Sequence, residues 1–210
     1  SVFDIIDFYI TKFDYWYKNI LDPFELDDSI IRKISSICPE NIDINAYFSS
    51  IFVGDLSRFG IYGFRLFHGI GVKKNINAGT AIMAYAAKNG DTESLYLFAH
   101  CLHETHPYNP CVFVFLKQAA DKGHDRAMNK YAKLLLEYYS TPETDIEAAG
   151  YLYMSATKGD APSMCCYGTL LELGIGVKKD LKKALEYFQM SSELGCPEGI
   201  YQYAFHIENG

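Results

Sequence analysis

Two segments of this chain have nearly the same sequence, and this internal repetition restricts the possible folds more than any other feature. The first runs from Tyr62 to Lys74, and the second runs from Tyr167 to Lys179. Both begin with Tyr-Gly and end with Gly-Ile-Gly-Val-Lys-Lys. Self-similarity at a fixed spacing is typical of repeat proteins, in which each copy is one unit of supersecondary structure.

Further copies lie between and after these two segments, and two landmarks identify them. The first landmark is an aromatic residue followed by a very small one, at Tyr62-Gly63, Phe98-Ala99, Tyr131-Ala132, Tyr167-Gly168 and Tyr203-Ala204. The second is a pair of small residues followed by a glycine, at Ala86-Ala87, Ala119-Ala120, Ser155-Ala156 and Ser191-Ser192. The landmarks predict units of roughly 36 residues at 55–90, 91–123, 124–159 and 160–195, with a truncated fifth unit at 196–210.

Each unit has the pattern of two helices, which we call helix A and helix B. In the fourth unit, Met164, Tyr167, Gly168 and Leu171 have the i, i+3, i+4, i+7 spacing of one helix face. Gly174 is expected to end helix A, because glycine readily adopts the left-handed conformation of a helix C-cap. Asp180 is a candidate N-cap for helix B, which is predicted to run to about Leu194.

Residues 1–53 do not follow this period, and we assign them to a separate region. Phe3, Ile6 and Ile10 begin a helical stripe, and Asp22-Pro23 has the pattern of a helix start. A terminal repeat would otherwise leave an apolar face in water, so we predict an N-terminal helical cap at 1–53, followed by repeats at 54–210. The chain begins with Ser1 and its fifth unit is incomplete, so we expect it to be part of a longer polypeptide.

The motifs of these units resemble those of the Sel1-like repeat family, which is related to the tetratricopeptide repeats. In the fourth unit, the resemblance rests on Gly168, Gly174, Gly176-Val177, Asp180, Lys183-Ala184, Tyr187-Phe188 and Gly195. In the first unit it rests on Gly63, Gly69, Gly71-Val72, Asn75, Ala81, Tyr85 and Gly90. The second and third units lack the glycine loop, so we expect different loop conformations at 103–110 and 138–145.

The resemblance implies an all-α fold: a right-handed α/α solenoid of stacked antiparallel helix pairs. It also implies a protein–protein interaction scaffold or adaptor with no catalysis of its own and no cofactor. Two alternatives stay open. The chain is either a structural component of a stable assembly, such as a cytoskeletal one, or a regulatory segment of a larger protein, such as a kinase or a ubiquitin-ligase subunit.

In families of this kind, helix A lines the concave side of the solenoid, where a partner helix or peptide is expected to bind. Its exposed positions are predicted two and five residues after the aromatic landmark. The partner-binding candidates are therefore Phe64, Phe67, His100, His103, Lys133, Leu136, Thr169, Glu172 and Phe205. Phe64 and Phe67 stand out as apolar. They are either covered by the N-terminal cap or serve as aromatic anchors for a partner.

Charge and hydrophobicity argue against two other kinds of partner. The net charge is −7, and no basic tract exceeds two residues, whereas phosphate contacts need clustered Lys and Arg. We therefore expect no nucleic acid. Fully apolar runs such as Cys111 to Leu116 are far shorter than the roughly 20 residues that span a bilayer, so we expect no membrane insertion.

Histidines and cysteines provide the remaining candidate sites. His100, His103 and His106 form a weak candidate metal site, which we weigh against ordinary solvated histidines. The resemblance implies that some secreted members of the family carry a ladder of disulfides, in which the second cysteine of each pair lies eight residues after the first. None of the equivalent positions here is a cysteine. We therefore expect free thiols and an intracellular, cytoplasmic location.

Overall fold

The computed structural model of the protein describes residues 56–209, so the predicted cap at 1–53 lies outside the described residues. Within this range the chain forms nine helices and no strand, which confirms the prediction of an all-helical fold. The helices are α1 (Leu56–His68), α2 (Ile76–Lys88), α3 (Thr92–Thr105), α4 (Cys111–Asp121), α5 (Asp125–Tyr138), α6 (Pro142–Thr157), α7 (Ala161–Leu173), α8 (Leu181–Glu193) and α9 (Pro197–Asn209). None of these described helices is both long enough and apolar enough to cross a membrane.

The chain divides into two compact units, 1–119 and 120–210. In the described part of the first unit, α1, α2 and α3 pack on one another. In the second unit, each helix from α5 to α8 packs on the next one. A further contact joins α7 directly to α9. Consecutive helices therefore form packed pairs, as the repeat pattern predicts.

Aspartate side chains mark the starts of three of these helices. The carboxylates of Asp91, Asp160 and Asp180 accept hydrogen bonds from backbone N–H groups three residues later, at 2.7, 2.9 and 3.1 Å. Such caps satisfy N–H groups that have no partner within the helix. The predicted N-cap role of Asp180 is therefore confirmed.

The glycine loops end α1 and α7 in the same way. Gly174 has φ 75° and ψ 33°, and its N–H donates to the carbonyl of Leu170 at 2.8 Å. The N–H of Gly69 makes the matching bond to Arg65, also at 2.8 Å. A residue with a Cβ is strained at positive φ, so the chain uses glycine here, as predicted.

The second and third repeats, which lack the glycine motif, end helix A differently, and this confirms the expected difference in loop conformation. The C-cap residue of α3 is His106, with φ −141°, and that of α5 is Tyr139, with φ −137°. Thr141 and Thr144 then form a reciprocal capping box that starts α6. In the loop between α5 and α6, side-chain capping thus takes the place of the glycine motif.

An edge-to-face pair of aromatic rings joins helix A to helix B in three of the helix pairs. The ring centroids are 5.0 Å apart for Phe98 and Phe115, 5.2 Å for Tyr131 and Tyr151, and 5.0 Å for Tyr167 and Tyr187. This geometry places the positive edge of one ring against the negative face of the other. The aromatic landmark in the sequence therefore corresponds to a repeated packing contact.

Candidate functional site

In the first compact unit, residues 1–119, the helix A positions predicted to bind a partner lie beside a cluster of two histidines and a glutamate. Oε2 of Glu104 in α3 lies 3.6 Å from Nε2 of His68 in α1, and Oε1 lies 3.5 Å from Nε2 of His100. We call His68, His100 and Glu104 the His–Glu cluster. All three side chains are partly exposed, so the cluster can exchange hydrogen bonds with a partner.

Aromatic rings border the His–Glu cluster. The ring of Phe64 lies 4.3 Å from that of His68 and 6.2 Å from that of His100. The ring of Tyr96 lies nearly parallel to that of His100, with centroids 5.9 Å apart. The predicted candidates Phe64 and His100 are therefore neighbours on one partly exposed surface, which offers both apolar and polar contacts.

Phe67 is not an exposed anchor, and that part of our prediction is wrong. Its side chain is only 6% exposed. A Cβ on Gly79 would lie 2.7 Å from the backbone nitrogen of Phe67, so α1 and α2 approach closely at this point. Phe67 therefore belongs to the packing of the first helix pair.

The histidines at the end of α3 do not form a metal site. His103 is partly buried, and His106 is exposed at the C-cap, with Nδ1 2.9 Å from Oγ1 of Thr105. Across residues 56–209, no group of three or more His, Cys, Asp and Glu side chains is arranged to hold a metal ion. The weak metal candidate formed by His100, His103 and His106 therefore has no structural support.

The loop after α3 contributes a shallow cavity instead. Residues 106–110 line an open space of about 440 Å³, and the Tyr108 side chain in this loop is 81% exposed. An open surface lined by a tyrosine, two prolines, a histidine and an asparagine suits a weak contact rather than a catalytic site.

In the second unit, the candidates lie on α5, α7 and α9, which are adjacent. Lys133 on α5 is exposed, Leu136 is partly buried, and Thr169 on α7 is partly exposed. The Asn129 amide of α5 donates to Oγ of Ser163 in α7 at 2.8 Å. The two helices that carry these candidates, α5 and α7, are therefore neighbours.

A second imidazole–carboxylate contact joins α7 to α9. Oε1 of Glu172 lies 3.4 Å from Nε2 of His206, and the ring of His206 stacks on that of Phe188, with centroids 5.4 Å apart. Phe205 lies beside them and is 47% exposed. Glu172 and Phe205 therefore both contact His206, which α9 adds to this surface.

The described cysteines are free thiols, and burial makes several of them weak nucleophiles. Burial raises the pKa of the Cys101 thiol to about 12, with the Glu104 carboxylate acting in the same direction. Burial also raises the pKa of Cys165 to about 12. Burial raises the pKa of Cys166, although the nearby Lys133 ammonium acts in the opposite direction. Since the thiolate is the reactive form, these thiols are poorly suited to nucleophilic chemistry near neutral pH.

One Ser-x-x-Lys spacing occurs, at Ser155 and Lys158 in α6. Ser155 is fully buried, and its hydroxyl donates to the carbonyl of Asp125 at 3.2 Å. Lys158 Nζ lies 3.0 Å from Asp125 Oδ1 and donates to the carbonyl of Gly123 at 2.7 Å. Both side chains therefore hold α6 to the start of α5, and the serine is not accessible to a substrate.

Our sequence reasoning missed His68, Glu104 and His206. A weak signal for them was present, because two of the three imidazole–carboxylate contacts join residues separated by about one repeat length. Glu104 follows His68 by 36 positions, and His206 follows Glu172 by 34. Complementary side chains that lie about one repeat apart in the sequence therefore indicate contacts between successive A helices.

The packed helix pairs and the recurring aromatic contact define a helical-repeat protein of the α/α solenoid class. The family model described as Sel1 repeat matches residues 61–91 and 161–196. The crystal structure of a Sel1 repeat protein from Oxalobacter formigenes is similar in fold, with a TM-score of 0.63 and 24% identity. These two segments therefore match the Sel1 repeat, and the predicted resemblance is confirmed.

Other comparisons agree on the fold. The structure of an immunity protein from Pseudomonas aeruginosa has a TM-score of 0.53 at 20% identity, covering 82% of this chain and 67% of that chain. The Oxalobacter match covers 71% of this chain and 63% of the other. DAP3-binding cell death enhancer 1 of Rattus norvegicus is 35% identical over 81 residues, which are 38% of this chain and 15% of the rat protein. This chain thus spans less than two thirds of the length of the rat and Oxalobacter proteins.

Proposed function

We propose that this chain is a non-catalytic interaction module. It binds a partner protein on the surface formed by the A helices of its second compact unit, residues 120–210. The observation that carries the proposal is the line of accessible side chains across α5, α7 and α9, namely Lys133, Thr169 and Phe205. Sel1 repeats are typically protein-interaction modules, and the chain carries two of them. The rat relative is named as one that binds DAP3.

The chemistry of the surface is suited to binding a polypeptide. Lys133 on α5 supplies a positive charge, and Thr169 on α7 is partly exposed. Phe205 offers an apolar ring next to His206 of the Glu172–His206 pair. Aromatic rings surrounded by polar groups are favoured as interface hot spots. The raised pKa values of the buried thiols, together with the inaccessible Ser155, support a binding role rather than catalysis.

Affinity capture with paired variants tests this proposal. The double variant Lys133→Glu, Phe205→Ala is expected to lose most of the protein captured by the wild-type chain. Lys182→Glu is the matched control, because it makes the same charge change at an exposed position of helix B in α8. Equal capture by all three chains, at unchanged melting temperature, would show that the helix A surface is not the binding site.

A further inference from the structure

Three tyrosines from successive helices of the second compact unit contact one another, and we call them the tyrosine cluster. They are Tyr153 on α6, Tyr167 on α7 and Tyr187 on α8. The ring of Tyr167 lies 5.3 Å from that of Tyr153 and 5.0 Å from that of Tyr187. Tyr153 is 47% exposed, and the other two side chains are partly exposed. The cluster is therefore accessible to a partner.

The hydroxyls of the tyrosine cluster are available as hydrogen-bond donors. Burial raises the pKa of Tyr187, and the phenols of Tyr167 and Tyr153 raise it further, so the three hydroxyls lie near one another. Burial and the Tyr153 phenol likewise raise the pKa of Tyr167. A phenol with a raised pKa keeps its proton near neutral pH. Within residues 56–209, no hydrogen bond joins these hydroxyls to another side chain or to the backbone.

The third repeat shows what such phenols bind. Its Tyr131 and Tyr151 make the same edge-to-face contact as Tyr167 and Tyr187. The Tyr131 hydroxyl donates to Oε1 of a glutamate in α6 at 3.2 Å. The Tyr151 hydroxyl donates to a carboxylate oxygen of Asp121 at the end of α4. Each phenol of the third repeat is thus paired with a carboxylate of the chain itself.

The fourth repeat has neither of these carboxylates. The residues 36 positions after Asp121 and Glu147 are Thr157 and Lys183. Thr157 is exposed, and its hydroxyl donates to a carbonyl of its own helix at 2.8 Å. Lys183 carries a charge opposite to that of Glu147. Both positions lie within the described residues, so this difference does not depend on where the sequence ends. The fourth repeat therefore has the phenol donors without their acceptors.

Lysines give the surroundings of the tyrosine cluster a charge that attracts a carboxylate. Lys183 precedes Tyr187 by four residues in α8, so both lie on one face of that helix. Its side chain is 64% exposed, and its ammonium lies 3.8 Å from the Asp180 carboxylate. Residues 178–183 contain four lysines and one aspartate. The Glu186 carboxylate acts against these lysines near Tyr187. The start of α8 nevertheless has an excess of positive charge.

We propose that the tyrosine cluster binds an acidic segment of a partner protein. The hydroxyls of Tyr153, Tyr167 and Tyr187 donate to a carboxylate of that segment, and Lys183 supplies the adjacent positive charge. The incoming carboxylate thus replaces the acceptors that the chain itself provides in the third repeat. This proposal rests on the proposed function only in that the chain binds other polypeptides, because it uses none of the residues of the helix A surface.

A fluorescence anisotropy titration tests the proposal. A labelled peptide of six glutamates is titrated with the full 210-residue chain, and a peptide of six glutamines is the uncharged control. We expect only the glutamate peptide to bind. Tyr167→Phe and Tyr187→Phe each remove one hydroxyl and keep the ring. Each is expected to weaken binding about tenfold, which is the order of effect for a hydrogen bond to a charged group.

Matched variants make the test specific. Tyr201→Phe removes a hydroxyl from an exposed tyrosine outside the cluster and is expected to leave binding unchanged. Lys183→Gln is expected to weaken binding more than Lys182→Gln, because Lys182 lies about 100° away around the helix. Failure of the glutamate peptide to bind, or equal binding of the glutamine peptide, would overturn the proposal. Wild-type affinity in both Tyr→Phe variants of the cluster would also overturn it, because the lysines alone would then attract the peptide.

The same titration separates this proposal from the proposed function. Phe205→Ala changes the helix A surface without changing charge, so it is expected to leave glutamate-peptide binding unchanged. Loss of partner capture in the double variant Lys133→Glu, Phe205→Ala, with normal peptide binding by Phe205→Ala, would support both proposals. Intact capture in the double variant would count against the helix A surface alone. Failure of the wild-type chain to bind the glutamate peptide would count against the tyrosine cluster alone.

Discussion

The imidazole ring of His206 stacks on the ring of Phe188, with centroids 5.4 Å apart and planes 10° from parallel. Phe188 is fully buried at the centre of the fourth helix pair, whereas His206 lies on α9 and also contacts the Glu172 carboxylate. One side chain thus connects the core of one repeat to the first helix of the next. This connection matters because repeat stability depends on interfaces between neighbouring units.

We predict that His206→Ala weakens the attachment of α9 more than Glu172→Gln does. Loss of the ring contact is expected to lower the free energy of unfolding by about 0.5–1.5 kcal/mol. Loss of the partly exposed imidazole–carboxylate contact is expected to change it by less than about 1 kcal/mol, because such contacts are screened by solvent. Hydrogen exchange of the α9 amides measures the difference. Faster exchange in Glu172→Gln than in His206→Ala would contradict the prediction.

Phe67→Ala is expected to destabilise the protein strongly. Phe67 is buried against the close approach of α1 and α2, so the substitution removes a large apolar side chain and leaves a cavity. Buried Phe→Ala changes typically lower the free energy of unfolding by about 3–5 kcal/mol. Urea denaturation checks this value. Phe64→Ala is the control on the same helix, and its effect should be clearly smaller because Phe64 is partly exposed.

Phe67 also shows where sequence reasoning succeeded and where it failed. The repeat period, the caps and the loop glycines were predictable, because each depends on residues close together in sequence. We counted Phe67 as exposed from its distance to Tyr62. It lies four residues after Gly63, only about 40° around the helix, where α1 approaches α2. Which side of a helix a neighbour covers is a tertiary property, so a position at the edge of the core was misassigned.

The candidate surface was predictable in outline but not in its contacts. Lys133, Thr169 and Phe205 are accessible, as their register indicated. The contact between Glu172 and His206 depends on side-chain conformations across two helices, which the periodicity of one helix does not encode. The exposure of these three positions was therefore predictable from helix periodicity, whereas the contacts around them required the structure.

Stability is expected to fall at alkaline pH because of buried thiols. The pKa of Cys165 rises from 9.0 to about 12 in the fold, mainly through burial. Above pH 9 the unfolded chain loses this proton while the folded chain retains it, so the equilibrium shifts toward the unfolded state as pH rises from 9 toward 12. Urea midpoints at pH 8, 9 and 10 measure the effect. Cys165→Ala should show a shallower decline than the wild type, and an identical decline would rule out the contribution of Cys165.

Gly174 and Gly150 are expected to respond to alanine in opposite directions. Gly174 has a positive φ at the C-cap of α7, so Gly174→Ala is expected to lower the free energy of unfolding by about 1–2 kcal/mol. Gly150 lies within α6, where an added Cβ meets no atom within 4 Å. Gly150→Ala is therefore expected to raise the free energy of unfolding by about 1 kcal/mol, since alanine is the better helix former. Urea denaturation of the two variants under the same conditions gives the comparison. If both alanines destabilise the chain to the same extent, backbone conformation is not what makes Gly174 necessary.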